Sequence, residues 1–117
     1  MKIAERQEGH IAILTISGRI DSQTAQEFEE RLKAAMRHTS PCLLLDMEGV
    51  EYITSAGMRA LASTYKAISQ LGRGDIAIAT LRDDLRHLFR LIGFDGLFAI
   101  YPDVTTALAS IPESTCH

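Results

Sequence analysis

Ser55 is the residue of this 117-residue chain with the most chemistry available to it. It stands in the run Asp46-Met47-Glu48-Gly49-Val50-Glu51-Tyr52-Ile53-Thr54-Ser55-Ala56-Gly57-Met58-Arg59, where a buried strand ends in a polar turn, an extended segment follows, and a helical pattern then begins. A hydroxyl so placed has two uses. Thr54 or Ser55 can cap the helix, a contribution of about 1 kcal/mol, with Gly57 allowing close packing of the first turn. Alternatively, the unpaired N–H groups and partial positive charge of a helix N-terminus accommodate a phosphate, which would make Ser55 a phosphoacceptor. Phosphorylation would add about −1.5 to −2 charges and three acceptor oxygens, a change that a partner would feel. Arg59, one turn later, can approach such a phosphate, pair with an acid on a partner, or remain a solvated surface group. Asp21, in Gly18-Arg19-Ile20-Asp21, can cap a helix beside Ser22 or touch a partner.

Other chemistries are poorly served. The G-x-S-x-G elbow of hydrolases is absent, and a triad would need a histidine within reach of the serine. His10 falls at a hairpin turn, His38 at a helix end, His87 inside a helix and His117 at the terminus. Neither His38 with Cys42 nor Cys116 with His117 has a zinc spacing, so no metal is expected. Gly72 and Gly74 do not make a phosphate-binding loop, and Arg73-Gly74-Asp75 reads as a turn.

The elements that must position Ser55 follow from periodicity. His10 to Ser17 is apolar on both alternating faces and follows the turn Glu8-Gly9, with Lys2 to Ala4 as a hairpin mate. From Thr24 the period becomes helical, with Ala25, Phe28, Leu32 and Ala35 on one stripe, and Thr24 and Glu27 are spaced for a capping box. Cys42 to Leu45 is a short strand covered on both faces. After Ser55 a helix buries Met58, Leu61, Tyr65, Ile68 and Leu71 and closes at Gly72. Ile76 to Ala79 is a further strand, and a third helix carries Leu85, Leu88, Phe89 and Ile92 up to Gly93. Leu97 to Ile100 adds an edge strand, and Asp103 caps a last helix.

Strands and helices thus alternate, which predicts an α/β fold: a mixed, mostly parallel sheet of four to five strands with about four helices. One domain spans residues 1–111, with 112–117 as a free tail. With 46% apolar residues the chain needs no staple for its core, and its two cysteines, Cys42 and Cys116, are no disulfide framework. Fifteen acidic against twelve basic residues, net −3, argue against nucleic acid as a partner. The absence of a long apolar run argues against a membrane, so a cytoplasmic location is expected.

The run from Asp46 to Arg59, with Gly18-Arg19-Ile20-Asp21 before the first helix and the order of elements, resembles the STAS family of anti-sigma-factor antagonists over almost the whole chain. Thr54 stands where an aspartate often precedes the serine, and Ala56 where a second hydroxyl residue often follows; many relatives carry the Ser-Ala-Gly form. The resemblance implies a non-enzymatic binding protein. Its unphosphorylated form would sequester a kinase-type anti-sigma factor, which phosphorylates Ser55, with Thr54 as a weaker alternative acceptor. A serine phosphatase would reverse the modification. Asp21 would lie beside the phosphoserine, and Thr54, Ser55, Met58 and Arg59 would share the docking face, with Gly57 letting partner backbone approach. ATP and magnesium would belong to the kinase, so no cofactor is expected here, and the chain would be a monomer or weak dimer. The alternative is a STAS scaffold subunit of a transporter or other signalling complex, without a phospho-switch.

Overall fold

In a computed structural model, which describes residues 1–116, the alternating patterns become β1 (Lys2–Glu8), β2 (Ile11–Ile20), α1 (Ala25–His38), β3 (Cys42–Ile53), α2 (Ser55–Leu71), β4 (Asp75–Ala79), α3 (Asp83–Leu91), β5 (Ala99–Tyr101) and α4 (Val104–Ser110). The sheet runs β1-β2-β3-β4-β5. The β1–β2 hairpin is antiparallel and the remaining pairs are parallel, as a chain of crossovers requires.

Because alternate residues of a strand face opposite ways, the central strands feed two cores. Ala12, Leu14 and Ile16 of β2, Leu43 and Leu45 of β3, and Ile76 and Ile78 of β4 meet Phe28 and Leu32 of α1, Leu61 and Ile68 of α2, and Leu85 and Phe89 of α3. On the other face Ile11, Ile13, Leu44, Ala77 and Ala79 meet Ala107 of α4 and Cys116. Gly72 closes α2 in the left-handed region (φ 73°), as expected.

Four expectations are corrected. The polar stretch after Leu45 does not break the strand: β3 continues to Ile53, and the pairing with β2 slips between Thr15 and Ser17 and again between Gly18 and Arg19, so bulges absorb the surplus residues. Gly49 makes this possible, since a Cβ there would lie 2.6 Å from Cβ of Ser17. The Thr24–Glu27 capping box does not form, because the Thr24 hydroxyl is turned back, donating to the Arg19 carbonyl at 3.0 Å and accepting from the Asp21 N–H at 2.9 Å. Leu71 and Ile92, assigned to buried stripes, are exposed. Finally, the segment after Ile111 is not free: Glu113–Cys116 forms a 3₁₀ turn, and Cys116 is disulfide-bonded to Cys42. His117 lies outside the described residues.

Candidate functional site

β2 and β3 are parallel neighbours whose last paired residues are Ile20 and Ile53, so the chain leaves both strands at the same edge. Thr54 fixes this exit, donating its backbone N–H to the Ile20 carbonyl at 2.9 Å and its hydroxyl to the same oxygen at 3.4 Å. Asp21 follows Ile20 directly and Ser55 follows Ile53 after Thr54, so both leave the sheet at its carboxyl end, the end where α/β folds place ligands. Thr54 occupies the N-cap position in extended backbone and its side chain makes no cap hydrogen bond; Ser55, exposed, is the first helical residue of α2.

Asp21 is half-buried and acts locally as a cap for the entry into α1. Its carboxylate accepts from the backbone N–H of Gln23 at 3.0 Å and of Thr24 at 3.2 Å. These bonds, the Gln23 one foremost, hold its carboxyl below the ordinary value, with smaller help from the Thr24 hydroxyl and the Arg19 charge. One negative charge therefore stands at this edge of the sheet at neutral pH.

Gly57 and Met58 face inward. A Cβ on Gly57 would sit 2.7 Å from Ile20 Cγ2 and from Ile53 Cγ1, so the reason for glycine lies in seating α2 on the ends of β2 and β3 rather than in room for a partner. Met58 is only 8% exposed. Arg59 is exposed and lines an open groove of about 500 Å³ between α1 and α2, with Ala25, Glu30, Lys33, Arg37 and Ala56. The groove's floor is braced by Glu29: its carboxylate accepts from Lys33 Nζ at 2.7 Å and from Ser63 Oγ at 3.1 Å, tying α1 to α2. The Lys33 bond leads the causes that hold the Glu29 carboxyl low.

Two features at this edge escape sequence reading. The Arg19 guanidinium lies over the Tyr52 ring at 5.0 Å from its centroid, and Tyr52 is 48% exposed. Their pairing depends on the bulged register, which no local pattern reveals. The groove likewise needs α1 and α2 to be neighbours. Among the histidines, His10 lies in the β1–β2 turn, His38 ends α1 and His87 lies within α3, while His117 is outside the described residues. Among the described residues no helix is long and apolar enough to cross a membrane.

A family model described as the STAS domain matches residues 2–107. The anti-sigma-F factor antagonist RsfB of Mycobacterium tuberculosis is 29% identical over 102 residues, covering 86% of this chain and 81% of the relative. A crystal structure of an anti-sigma factor antagonist from Mycobacterium paratuberculosis superposes with a TM-score of 0.80 at 25% identity, covering 94% of this chain and 92% of that one. An anti-sigma-factor antagonist (STAS) domain protein from Planctomyces limnophilus shares the fold at a TM-score of 0.81 and 20% identity, covering 92% and 95% of the two chains.

Proposed function

Since the chain belongs to the STAS domain family, we propose that it is an anti-sigma-factor antagonist that works by partner switching: unphosphorylated it sequesters a kinase-type anti-sigma factor, and phosphorylation of Ser55 releases that partner. The observation that carries this reading is an exposed serine in the first turn of α2, at the carboxyl edge of a parallel sheet from which the ionised Asp21 also emerges. The free N–H groups of the first turn accommodate a phosphate, so the modification is compatible with an intact helix. What the phosphate adds is charge at a surface that already carries Asp21. A partner shaped to the neutral hydroxyl would then have to bury an unmatched dianion, a cost of several kcal/mol where each 1.4 kcal/mol is tenfold in affinity.

The docking face would comprise Asp21, Thr54, Ser55 and Arg59, with Gly57 and Met58 setting the height of α2 from beneath. Arg59 and the groove beyond it would extend the contact along α1. Thr54 is the weaker acceptor because its hydroxyl is already engaged with the Ile20 carbonyl. A serine phosphatase would reset the switch, and the protein would act in the cytoplasm as a monomer or weak dimer without catalysis of its own.

The test is to incubate the chain with candidate serine-kinase anti-sigma factors and magnesium ATP, then map phosphopeptides. Phosphate on Ser55 and loss of the complex are expected. Phosphate confined to Thr54, or none at all with a kinase that nonetheless binds, would favour a fixed STAS scaffold over a switch.

A further inference from the structure

We propose that Cys42 and Cys116 form a reversible thiol clasp that fastens the C-terminal turn over the second face of the sheet and opens under a dithiol reductant. Cys42 is the first residue of β3, in the middle of the sheet, and Cys116 lies 74 residues later in the 3₁₀ turn. Their disulfide, with Cα atoms 5.4 Å apart, is the covalent link between the turn and the sheet, beside a set of polar contacts among the described residues. The Thr115 carbonyl accepts the Gly74 N–H at 2.6 Å, the Cys116 carbonyl accepts an Arg73 guanidinium N–H at 3.4 Å, and an exposed contact joins Glu113 Oε1 to His10 Nε2 at 2.7 Å. Beneath the turn a small cavity of about 50 Å³, lined by Cys42, Ala77, Tyr101, Ile111 and Pro112, shows that packing here is incomplete.

These features decide how the bond can react. Cys42 is 1% exposed and Cys116 6%, so a thiolate cannot reach either sulfur while the turn is docked. Opening the turn breaks a few hydrogen bonds and uncovers one side of the second-face core, whereas freeing Cys42 would require parting β3 from its neighbours, so Cys116 is the sulfur presented. A reductant thiolate attacks Cys116 Sγ, forming a mixed disulfide and expelling Cys42 as a thiolate, which takes up a proton. The reductant's second thiol then displaces Cys116 as a thiol and leaves as the cyclic or paired disulfide: two electrons and two protons pass to the protein. Cys42 stays fixed in the sheet and Cys116 remains on a short tether from α4, so the pair re-forms readily with a disulfide oxidant. The clasp lies at the amino end of β3 and Ser55 follows its carboxyl end, so this inference stands apart from the proposed phospho-switch.

The experiment uses the full chain, oxidised by air or treated with dithiothreitol. Iodoacetamide added under denaturing conditions, followed by mass spectrometry, should add nothing to the oxidised chain and two groups after reduction. Carboxypeptidase should trim back towards Ile111 only in the reduced form. The melting temperature should fall by about 10–20 °C on reduction, the range expected for opening a loop of this length, and oxidised glutathione should restore it. Cys116→Ser should melt like the reduced protein whether or not reductant is present. Two alkylated thiols in the air-oxidised chain, or a melting temperature that dithiothreitol does not move, would overturn the clasp, and both are read on the wild-type chain even if the variant folds poorly.

Discussion

Ser55→Ala removes one exposed hydroxyl while leaving the bonds from Thr54 to Ile20 untouched, so it should stay folded, keep partner binding and be immune to the kinase. Ser55→Asp sets a second carboxylate at the edge that carries Asp21 and should weaken partner binding at least tenfold, about 1.4 kcal/mol, since an unmatched charge enters the interface. Calorimetric titration of the anti-sigma factor with both variants measures the difference; equal affinities would refute charge exclusion. Asp21 itself links the site to pH. Its folded-state pKa is depressed below the ordinary 3.8, chiefly by the Gln23 N–H, so its ionised form stabilises the fold above that value and the contribution disappears as pH falls through the depressed value. Asp21→Asn keeps an acceptor for those N–H groups and removes the charge. Denaturation midpoints of Asp21→Asn and wild type should therefore separate above roughly pH 5 and converge in strong acid.

At the scale of elements, α2 is seated by what Gly57 lacks. In Gly57→Ala the new methyl would meet Ile20 and Ile53 at 2.7 Å, so the helix must lift or both isoleucines must shift. Overpacking of this kind costs about 1–3 kcal/mol, which outweighs the better helix propensity of alanine at under 1 kcal/mol. The variant should melt lower and, by lifting the first turn, also bind the partner less well. Chemical denaturation and the binding assay together check both halves. The helical period of α2 was legible because its stripe is local: Leu61 and Ile68 lie in the core as the spacing predicts. Leu71, the last residue of the helix, is 47% exposed, a matter of tertiary packing that the local stripe does not carry. The continuity of β3 was not legible for a related reason, since a run such as Asp46-Met47-Glu48-Gly49 has the composition of a turn and becomes strand only because β2 supplies a bulged partner.

For the whole molecule the question is whether phosphate switches by charge or by unfolding. A phosphate in the first turn gains roughly 0.3–1 kcal/mol from the helix dipole against the loss of at most a cap bond of about 1 kcal/mol, so the net change is small. Phosphorylated and unmodified protein should melt within about 4 °C of one another while their partner-binding curves separate. A fall of more than about 10 °C would instead make order and disorder of α2 the switching element. The disulfide works on another scale: closing a 74-residue separation restricts the unfolded chain by about 4 kcal/mol in the entropic account. Global stability therefore answers to the thiol pair far more than to the phosphate.

Periodicity, caps and breakers act within a few residues of one another, and that is why the amino-acid sequence alone determined the kinds and order of the elements, the left-handed end of α2 at Gly72, the cap of α4 by Asp103, whose carboxylate accepts from the Thr106 N–H at 2.7 Å, and the placing of Ser55 at a helix start. The docked turn, the Cys42–Cys116 bond, the Arg19–Tyr52 stack and the α1–α2 groove were decided by tertiary structure only. So was the inward role of Gly57. Each of these joins residues distant in sequence, and their meeting depends on strand register and on which layers pack together. A one-residue change of register would turn every side chain to the opposite face without altering any local propensity.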